Sequence, residues 1–192
     1  GKKIIELSYP EFLGEFAKNY RTIAVSGTHG KSTTTAMIAL ILQASGLDPT
    51  VIVGSMVPEF VLGNARVGSG EWFVVEACEY KGNMRYIKPD IAVITSIEPD
   101  HLDYYKDLQD IIYAFKEFAA GIKSNGTLVI YGDPLACEHI SVLGNVSRRT
   151  FGEDYGSDWA FKDRKQSENL GLQEFILSKT DEIWQLKIPG KI

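Results

Sequence analysis

The chain has 192 residues, of which 44% are hydrophobic and 23% are charged, and its formal net charge is -5. This composition fits a globular domain with one core, and the acidic balance excludes a general nucleic-acid-binding protein. The longest apolar stretch, residues 36–44, is too short to span a membrane. We therefore expect neither a nucleic acid nor a membrane as a partner.

The cysteines and the chain ends predict a cellular location. Cys78 and Cys137 lack the spacing of metal ligands, and free thiols are typical of a reducing compartment. Residues 1–20 carry no signal-peptide core, so we predict a cytoplasmic protein. The chain starts at Gly1 and shows no ending signal, which indicates a piece of a longer protein.

Helices and strands alternate through the first two thirds of the chain. The predicted helices are residues 10–20, 31–45 and 108–122, and the predicted strands are residues 22–27, 50–54, 72–77, 91–96 and 127–132. The strands are apolar on both faces, which indicates a parallel sheet covered by helices on both sides.

The pattern changes after about residue 147, where polar and apolar residues alternate between turns. This alternation predicts a small antiparallel sheet. The predicted fold is thus α/β, with a P-loop-type, mostly parallel sheet flanked by helices and a small C-terminal antiparallel β-subdomain. We divide the chain into a linker and helix that lead in from a preceding domain (1–20), an α/β core (21–147) and the small antiparallel sheet of the same domain (148–192).

A glycine-rich turn, VSGTHGKSTTT (25–35), joins the first strand to the second helix. It resembles the phosphate-binding pattern G-x-x-x-x-G-K-[ST], but it is shorter at its start. Gly27 and Gly30 leave room for a phosphate near the backbone and the helix dipole, Lys31 adds positive charge, and the Ser32 hydroxyl suits Mg²⁺. The alternative is an ordinary strand-to-helix turn, which the G-K-S sequence in this context disfavours.

The residues predicted to bind phosphate are Gly27, Thr28, His29, Gly30, Lys31, Ser32 and Thr33. For His29 the residues alone leave three roles open. It could contact phosphate, orient the loop, or mark a subfamily.

Acidic residues and a histidine follow two later strands. Glu76 ends the strand 72–77, at the edge of a parallel sheet where ligands collect, and a carboxylate is costly to bury there unless a cation meets it. His101 lies between Asp100 and Asp103 after the next strand, where a neutral imidazole could bind a metal. The alternatives are a hydrogen-bonded loop histidine and, for the aspartates, a solvated turn and a helix cap.

Five segments in order, VSGTHGKSTTT, VVEACEY, PDIAVITSIEPDHLDYY, AFKEFA and PGK (189–191), resemble the central ATP-binding domain of the Mur ligases over nearly the whole chain. The loop of that family reads G-T-x-G-K-[ST]. His at the x position with a downstream D-H-x-D-x-Y is similar to the branch that joins L-alanine to UDP-N-acetylmuramate in peptidoglycan precursor synthesis.

The resemblance implies an ATP-dependent amide ligase in which a substrate carboxylate is phosphorylated and an amino acid then attacks the acyl phosphate. It assigns Lys31, Glu76 and His101 to catalysis, with Ser32 holding one Mg²⁺ and Glu76 and His101 the second. Lys116 matches a lysine that several members carbamylate, although the alanine-adding branch generally lacks this device. UDP-N-acetylmuramate and L-alanine would bind through further N- and C-terminal domains.

Two departures and two alternatives accompany the resemblance. Cys78 stands where the family usually has an acid, and Ser96 stands where it commonly has Asn. One alternative is the muropeptide-recycling ligase or another amide ligase of the family. The other is a stand-alone P-loop nucleotide-binding module with switch or kinase function, which would turn over ATP without other domains.

Overall fold

A computed structural model describes residues 4–153, 156–166, 172–179 and 182–189. The helices are α1 (Tyr9–Ala17), α2 (Lys31–Ala44), α3 (Leu108–Ala120) and α4 (Pro134–His139), and a 3-10 helix covers Tyr80–Tyr86. The strands are β1 (Arg21–Ser26), β2 (Thr50–Ile52), β3 (Ala65–Arg66), β4 (Trp72–Glu76), β5 (Ile91–Ile94), β6 (Thr127–Tyr131), β7 (Ser147–Gly152), β8 (Trp159–Gln166), β9 (Leu172–Lys179) and β10 (Glu182–Pro189). The predicted α/β class is confirmed. The short elements β3, α4 and the 3-10 helix were not predicted.

The described strands form one sheet in the order β10-β9-β8-β7-β6-β5-β1-β4-β2-β3. Strands β2, β4, β1, β5, β6, β7 and β8 are parallel neighbours, β3 pairs antiparallel with β2, and β9 pairs antiparallel with both β8 and β10. The C-terminal strands therefore extend the main sheet. Antiparallel pairing among them begins between β8 and β9, because β7 pairs parallel with β6 and β8 pairs parallel with β7, so the antiparallel sheet predicted from residue 148 starts later than expected. An alternating pattern shows which face of a strand is buried but not the direction of its neighbour.

Helices cover the two faces of the sheet unequally. On one face α1, α3, α4 and the 3-10 helix pack on the larger core cluster, which includes Phe73, Met84, Phe115 and Phe118, all 0% exposed. On the other face α2 packs on a smaller cluster, and an apolar groove of about 480 Å³ lies beside it along β5 and β6. No helix in the described part of the chain has the length and apolarity needed to cross a bilayer.

The sheet topology places the glycine-rich turn at a crevice. Strand β1 lies between β4 and β5, and α2 then carries the chain to β2 on the far side of β4. Backbone bonds hold the end of β1, with Ala77 N–H donating to Val25 O (2.8 Å) and Thr95 N–H donating to Ser26 O (3.0 Å). Ligands of open parallel sheets collect at such carboxyl ends, so the segments after β1, β4 and β5 form the candidate site.

Candidate functional site

The loop between β1 and α2 depends on its two glycines. Gly27 has a φ of 134°, and a Cβ there would lie 2.1 Å from Thr95 Oγ1 and 2.9 Å from the backbone nitrogens of Thr95 and Ser96. Gly30 caps α2 in the left-handed conformation, with a φ of 79°. Only glycine adopts both conformations without strain, and the α2 N-terminus then directs its free N–H groups at the loop.

Lys31 turns back over this loop. Its ammonium donates to Gly27 O (2.7 Å), to Thr28 O (3.1 Å) and to the Glu79 carboxylate (2.9 Å). The lysine side chain is only 15% exposed. The positive charge is therefore held at the glycine loop, where the sequence predicted it to meet phosphate.

Glu79 is the acidic partner of this lysine and lies just before the 3-10 helix. Its side chain is 3% exposed, and its Oε1 lies 2.9 Å from Lys31 Nζ and 3.2 Å from His101 Nε2. Its Oε2 is buried without a hydrogen-bond partner. The backbone carbonyl of Glu79 accepts a hydrogen bond from Tyr105, whose pKa burial raises to about 12.

His101 comes to this carboxylate from the loop after β5. It has a φ of 51°, a left-handed conformation uncommon for a residue with a side chain, and its N–H donates to Asp100 Oδ1 (2.7 Å). The centroid of its ring lies 4.9 Å from that of Tyr80, with the two rings tilted by 46°, and the Tyr80 hydroxyl donates to Asp103 Oδ2 (3.1 Å). The left-handed conformation of His101 directs its imidazole toward Glu79. Residues held in such uncommon backbone conformations cluster at functional sites.

Together, Glu79, Asp100 and His101 could hold a metal ion. One ligand atom from each lies within 4.8 Å of the others. Two carboxylates and an imidazole suit a divalent cation, and such a cation would give the buried, unpaired Oε2 of Glu79 a partner.

Glu76 occupies a different position from Glu79, although only two residues separate them. It ends β4, its side chain is half-buried, and its Oε2 accepts from the Gly54 N–H (2.6 Å). Gly54 is required for this approach, since a Cβ there would lie 2.6 Å from Glu76 Oε1. The predicted sharing of one metal by Glu76 and His101 stays a prediction, while the geometry places Glu79 against His101.

The remaining loop residues contact the segment after β5. Thr28 is buried, and its hydroxyl donates to Glu98 O (3.2 Å) and accepts from Glu98 N–H (2.9 Å). His29 N–H donates to Ser96 Oγ (3.1 Å), while its ring is 70% exposed and lies 3.8 Å from Glu98. Ser96, one of the two departures from the family pattern, thus supports the loop backbone.

The structure also places three further predicted site residues and Cys78, the other departure from the family pattern. Ser32 and Thr33 lie in the first turn of α2, where Ser32 is half-buried and Thr33 exposed. Lys116 is on α3 with its side chain exposed, and its predicted carbamylation stays a prediction. Cys78 is half-buried, and burial raises the pKa of its thiol, which disfavours a reactive thiolate.

Sequence reasoning missed Glu79. The signal available was a second acid in EACEY, three positions after Glu76 and directly before an aromatic residue. A rule based on strand ends selects the last strand residue and cannot place a residue in the loop beyond it.

Comparisons with known proteins find relatives that cover most of the chain. Residues 25–192 match the Mur ligase middle domain family. The UDP-N-acetylmuramate–L-alanine ligase of Desulfitobacterium hafniense is 51% identical over 187 residues, covering 96% of this chain and 40% of that protein. The chain thus spans about two fifths of the length of this curated relative.

Solved structures of related ligases have the same fold. The UDP-N-acetylmuramate-alanine ligase MurC from Thermotoga maritima superposes with a TM-score of 0.75 at 26% identity, covering 94% of this chain and 39% of that one. The MurF ligase from Thermotoga maritima in complex with ADP gives a TM-score of 0.75 at 22% identity, covering 98% of this chain and 46% of that one.

Proposed function

The chain belongs to the Mur ligase family as its middle domain, and from this premise we propose that it is the ATP-binding unit of a cytoplasmic ligase that joins L-alanine to UDP-N-acetylmuramate. The observation that carries the proposal is the glycine loop whose Lys31 lies beside the Glu79, Asp100 and His101 cluster. A phosphate cradle next to a cation site is the arrangement that phosphoryl transfer to a carboxylate requires.

The proposed reaction has two steps. The carboxylate of UDP-N-acetylmuramate attacks the γ-phosphorus of ATP, the bond to the β–γ bridging oxygen breaks, and ADP leaves. The amino group of L-alanine then attacks the acyl phosphate, loses a proton, and the tetrahedral intermediate releases inorganic phosphate and the amide. Both steps bring anions together, so positive charge at the loop lowers the barrier.

The chain's own groups would divide this work. Backbone N–H groups of the segment from Gly27 to Thr33 would surround the phosphates, and Lys31 would compensate their charge. Ser32 would hold one Mg²⁺, and the second would be held by His101 with Glu76, as the family resemblance implies, or with Glu79 and Asp100, as the geometry favours. When bound, Mg²⁺ supplies charge neutralisation on the transferring phosphoryl group.

The buried state of Glu79 supports the fit of a cation at this cluster. A carboxylate oxygen that is buried without a partner is costly, and a divalent ion would remove that cost. Lys116 as a carbamylated ligand remains a separate proposal for which the exposed position of its side chain gives no added support.

Replacing Lys31 in the full-length ligase tests the proposal. Lys31→Ala should weaken ADP and ATP binding on the order of 100-fold, because a charged hydrogen bond contributes up to about 3 kcal/mol. Calorimetric titration measures the affinity, and thermal unfolding checks that the fold is retained. Lys123→Ala, at the opposite end of the sheet, is the control and should keep the wild-type affinity. Unchanged binding in Lys31→Ala would contradict the proposal.

Phosphate release with different acceptors tests the substrates. We expect turnover with UDP-N-acetylmuramate and L-alanine together. Turnover that requires a tripeptide in place of L-alanine would identify a muropeptide-recycling ligase, and ATP hydrolysis without any acceptor would identify a stand-alone nucleotide-binding module.

A further inference from the structure

The ammonium group of Lys31 has no donor left for a phosphate. A lysine ammonium carries three N–H donors. In this structure its acceptors are Gly27 O, Thr28 O and Glu79 Oε1, at 2.7, 3.1 and 2.9 Å. Lys31 can therefore donate a hydrogen bond to a phosphate oxygen only when its bond to one of these acceptors breaks.

Glu79 is the acceptor that can be exchanged. Gly27 O and Thr28 O are backbone atoms of the loop itself, whereas Glu79 is a side chain from the segment after β4. Glu79 is also the one charged group among the three acceptors, so it and a phosphate compete for a single positive charge. If Lys31 turned to a phosphate, the buried carboxylate would remain beside that anion uncompensated.

A divalent cation can replace Lys31 as the partner of the Glu79 carboxylate. Glu79 Oε2 is buried and without a hydrogen-bond partner, and its Oε1 already faces His101 Nε2 at 3.2 Å. Ligand atoms of Asp100 and His101 lie within 4.8 Å of it. The group that loses Lys31 thus has a cation site already assembled around it.

We propose that Glu79 is a positioning residue that exchanges Lys31 for a divalent cation, so that the cation and the nucleotide phosphate each promote the binding of the other. The inference rests on the proposed function. Glu79 holds the ammonium over the loop, and a cation that binds Glu79, Asp100 and His101 frees the ammonium for phosphate. The cation therefore strengthens nucleotide binding in part by releasing Lys31 from Glu79, and not only by direct contacts with the phosphate.

The test measures ADP binding to the full-length ligase by calorimetry, with Mg²⁺ and with a chelator. Glu79→Gln removes the competing charge and the metal ligand together. In the chelator, the variant should bind ADP more tightly than the wild type; with Mg²⁺, it should bind more weakly. The ratio of the two affinities should fall about tenfold, which is a typical coupling between two sites. A carboxylate with a merely structural role would shift both affinities in one direction, and that result would overturn the inference.

Asp90→Asn is the matched control because Asp90 also pairs with a lysine, Lys123, at 2.8 Å. It should leave the Mg²⁺ dependence of ADP binding unchanged. If the wild type does not bind ADP, or if Lys31→Ala binds it normally, the proposed function fails. If Lys31→Ala loses binding and Glu79→Gln keeps the wild-type ratio, only the exchange fails.

A reciprocal measurement does not depend on the folding of Glu79→Gln. Lys31→Met removes the ammonium that competes for Glu79, so Mn²⁺ alone, without nucleotide, should bind this variant several-fold more tightly than the wild type. Titration of Mn²⁺ followed by electron paramagnetic resonance gives both affinities. Equal or weaker Mn²⁺ binding in Lys31→Met would contradict the exchange.

Discussion

The two ends of the parallel strands each hold a lysine bonded to a carboxylate, and the two pairs differ in their surroundings. At the amino ends, Asp90 accepts from Lys123 Nζ (2.8 Å) and from the buried Thr22 N–H (2.7 Å), and Lys123 also donates to Tyr20 O (3.3 Å). At the carboxyl ends, Glu79 accepts from Lys31 (2.9 Å) with one oxygen, while the other is buried without a partner.

This difference separates structural roles from binding roles. The Asp90 pair connects the segments before β1, β5 and β6, and all of its contacts join parts of the chain to each other. Within the described residues, the buried side-chain atoms without a partner are Glu79 Oε2 and two nitrogens of Arg148. Buried polar atoms are nearly always paired in folded proteins. Unlike the Arg148 nitrogens near the start of β7, the unpaired oxygen of Glu79 belongs to a cluster with Asp100 and His101, and this combination favours a ligand at the carboxyl ends.

The largest change in stability is expected from replacing Asp90, at the amino ends of the parallel strands. Asp90→Ala leaves the Thr22 N–H buried and unpaired and takes the counter-charge from Lys123, so the free energy of unfolding should fall by about 2 kcal/mol. Urea unfolding of the full-length ligase, followed in the transition that ADP shifts, measures it. A variant as stable as the wild type would contradict the structural role assigned to Asp90.

A smaller change in stability is expected from the carboxyl end. Glu79→Gln keeps an acceptor for Lys31, whose ammonium also retains Gly27 O and Thr28 O, and it removes the buried carboxylate oxygen that has no partner. These gains should largely offset the loss of the counter-charge, so the free energy of unfolding should stay within about 1 kcal/mol of the wild type. The same urea experiment measures it. A loss as large as that in Asp90→Ala would assign Glu79 the structural role as well.

The smallest expected effect is the pH dependence of the contribution that Asp90, at the amino ends of the strands, makes to the free energy of unfolding. Burial alone would raise the pKa of Asp90, but hydrogen bonds from Lys123 and Thr22, with the nearby positive charges, outweigh it and lower that pKa. A lowered pKa in the folded state stabilises the fold above the unfolded value of about 3.9 and loses this contribution as the pH falls through the folded value.

The unfolding free energies of the wild type and Asp90→Asn should therefore differ by a constant amount near neutral pH. The difference should shrink below about pH 4, where Asp90 of the unfolded chain becomes protonated, and it should be lost once the pH falls below the lowered pKa of the folded state. Urea titrations over a series of pH values give the difference directly. A gap that widens in acid would show that Asp90 does not act as an ion pair with Lys123.

The sequence predicted the parallel core well because its strands are apolar on both faces and its helices are periodic. The strand predicted at 72–77 is β4, and the helix predicted at 108–122 is α3, which begins at the predicted residue and ends at Ala120. The C-terminal strands were harder, since alternation reports burial and not direction, and β7 proved parallel to β6. The last two residues of the PGK motif and the predicted turn residues Asn169, Gly171 and Asp181 lie outside the described residues.

The candidate site was predictable in part. The conformations of Gly27 and Gly30 and the location of Lys31 follow from a glycine-rich turn between a strand and a helix. The meeting of Glu79 with His101 was not predictable, because it depends on a loop after β4 and on the left-handed turn at His101. Neither feature has a periodic pattern in the sequence.

The central position of β1 has a consequence for how the chain folds during its synthesis. The neighbours of β1 are β4 and β5, and the bond from Thr22 N–H to Asp90 joins residues 68 positions apart. Contacts of such long range form slowly, since a large loop must close before they stabilise the chain. The apolar residues of β1 therefore leave the ribosome well before their partners exist, and they remain open to chaperones or to other nascent chains until β5 has been made.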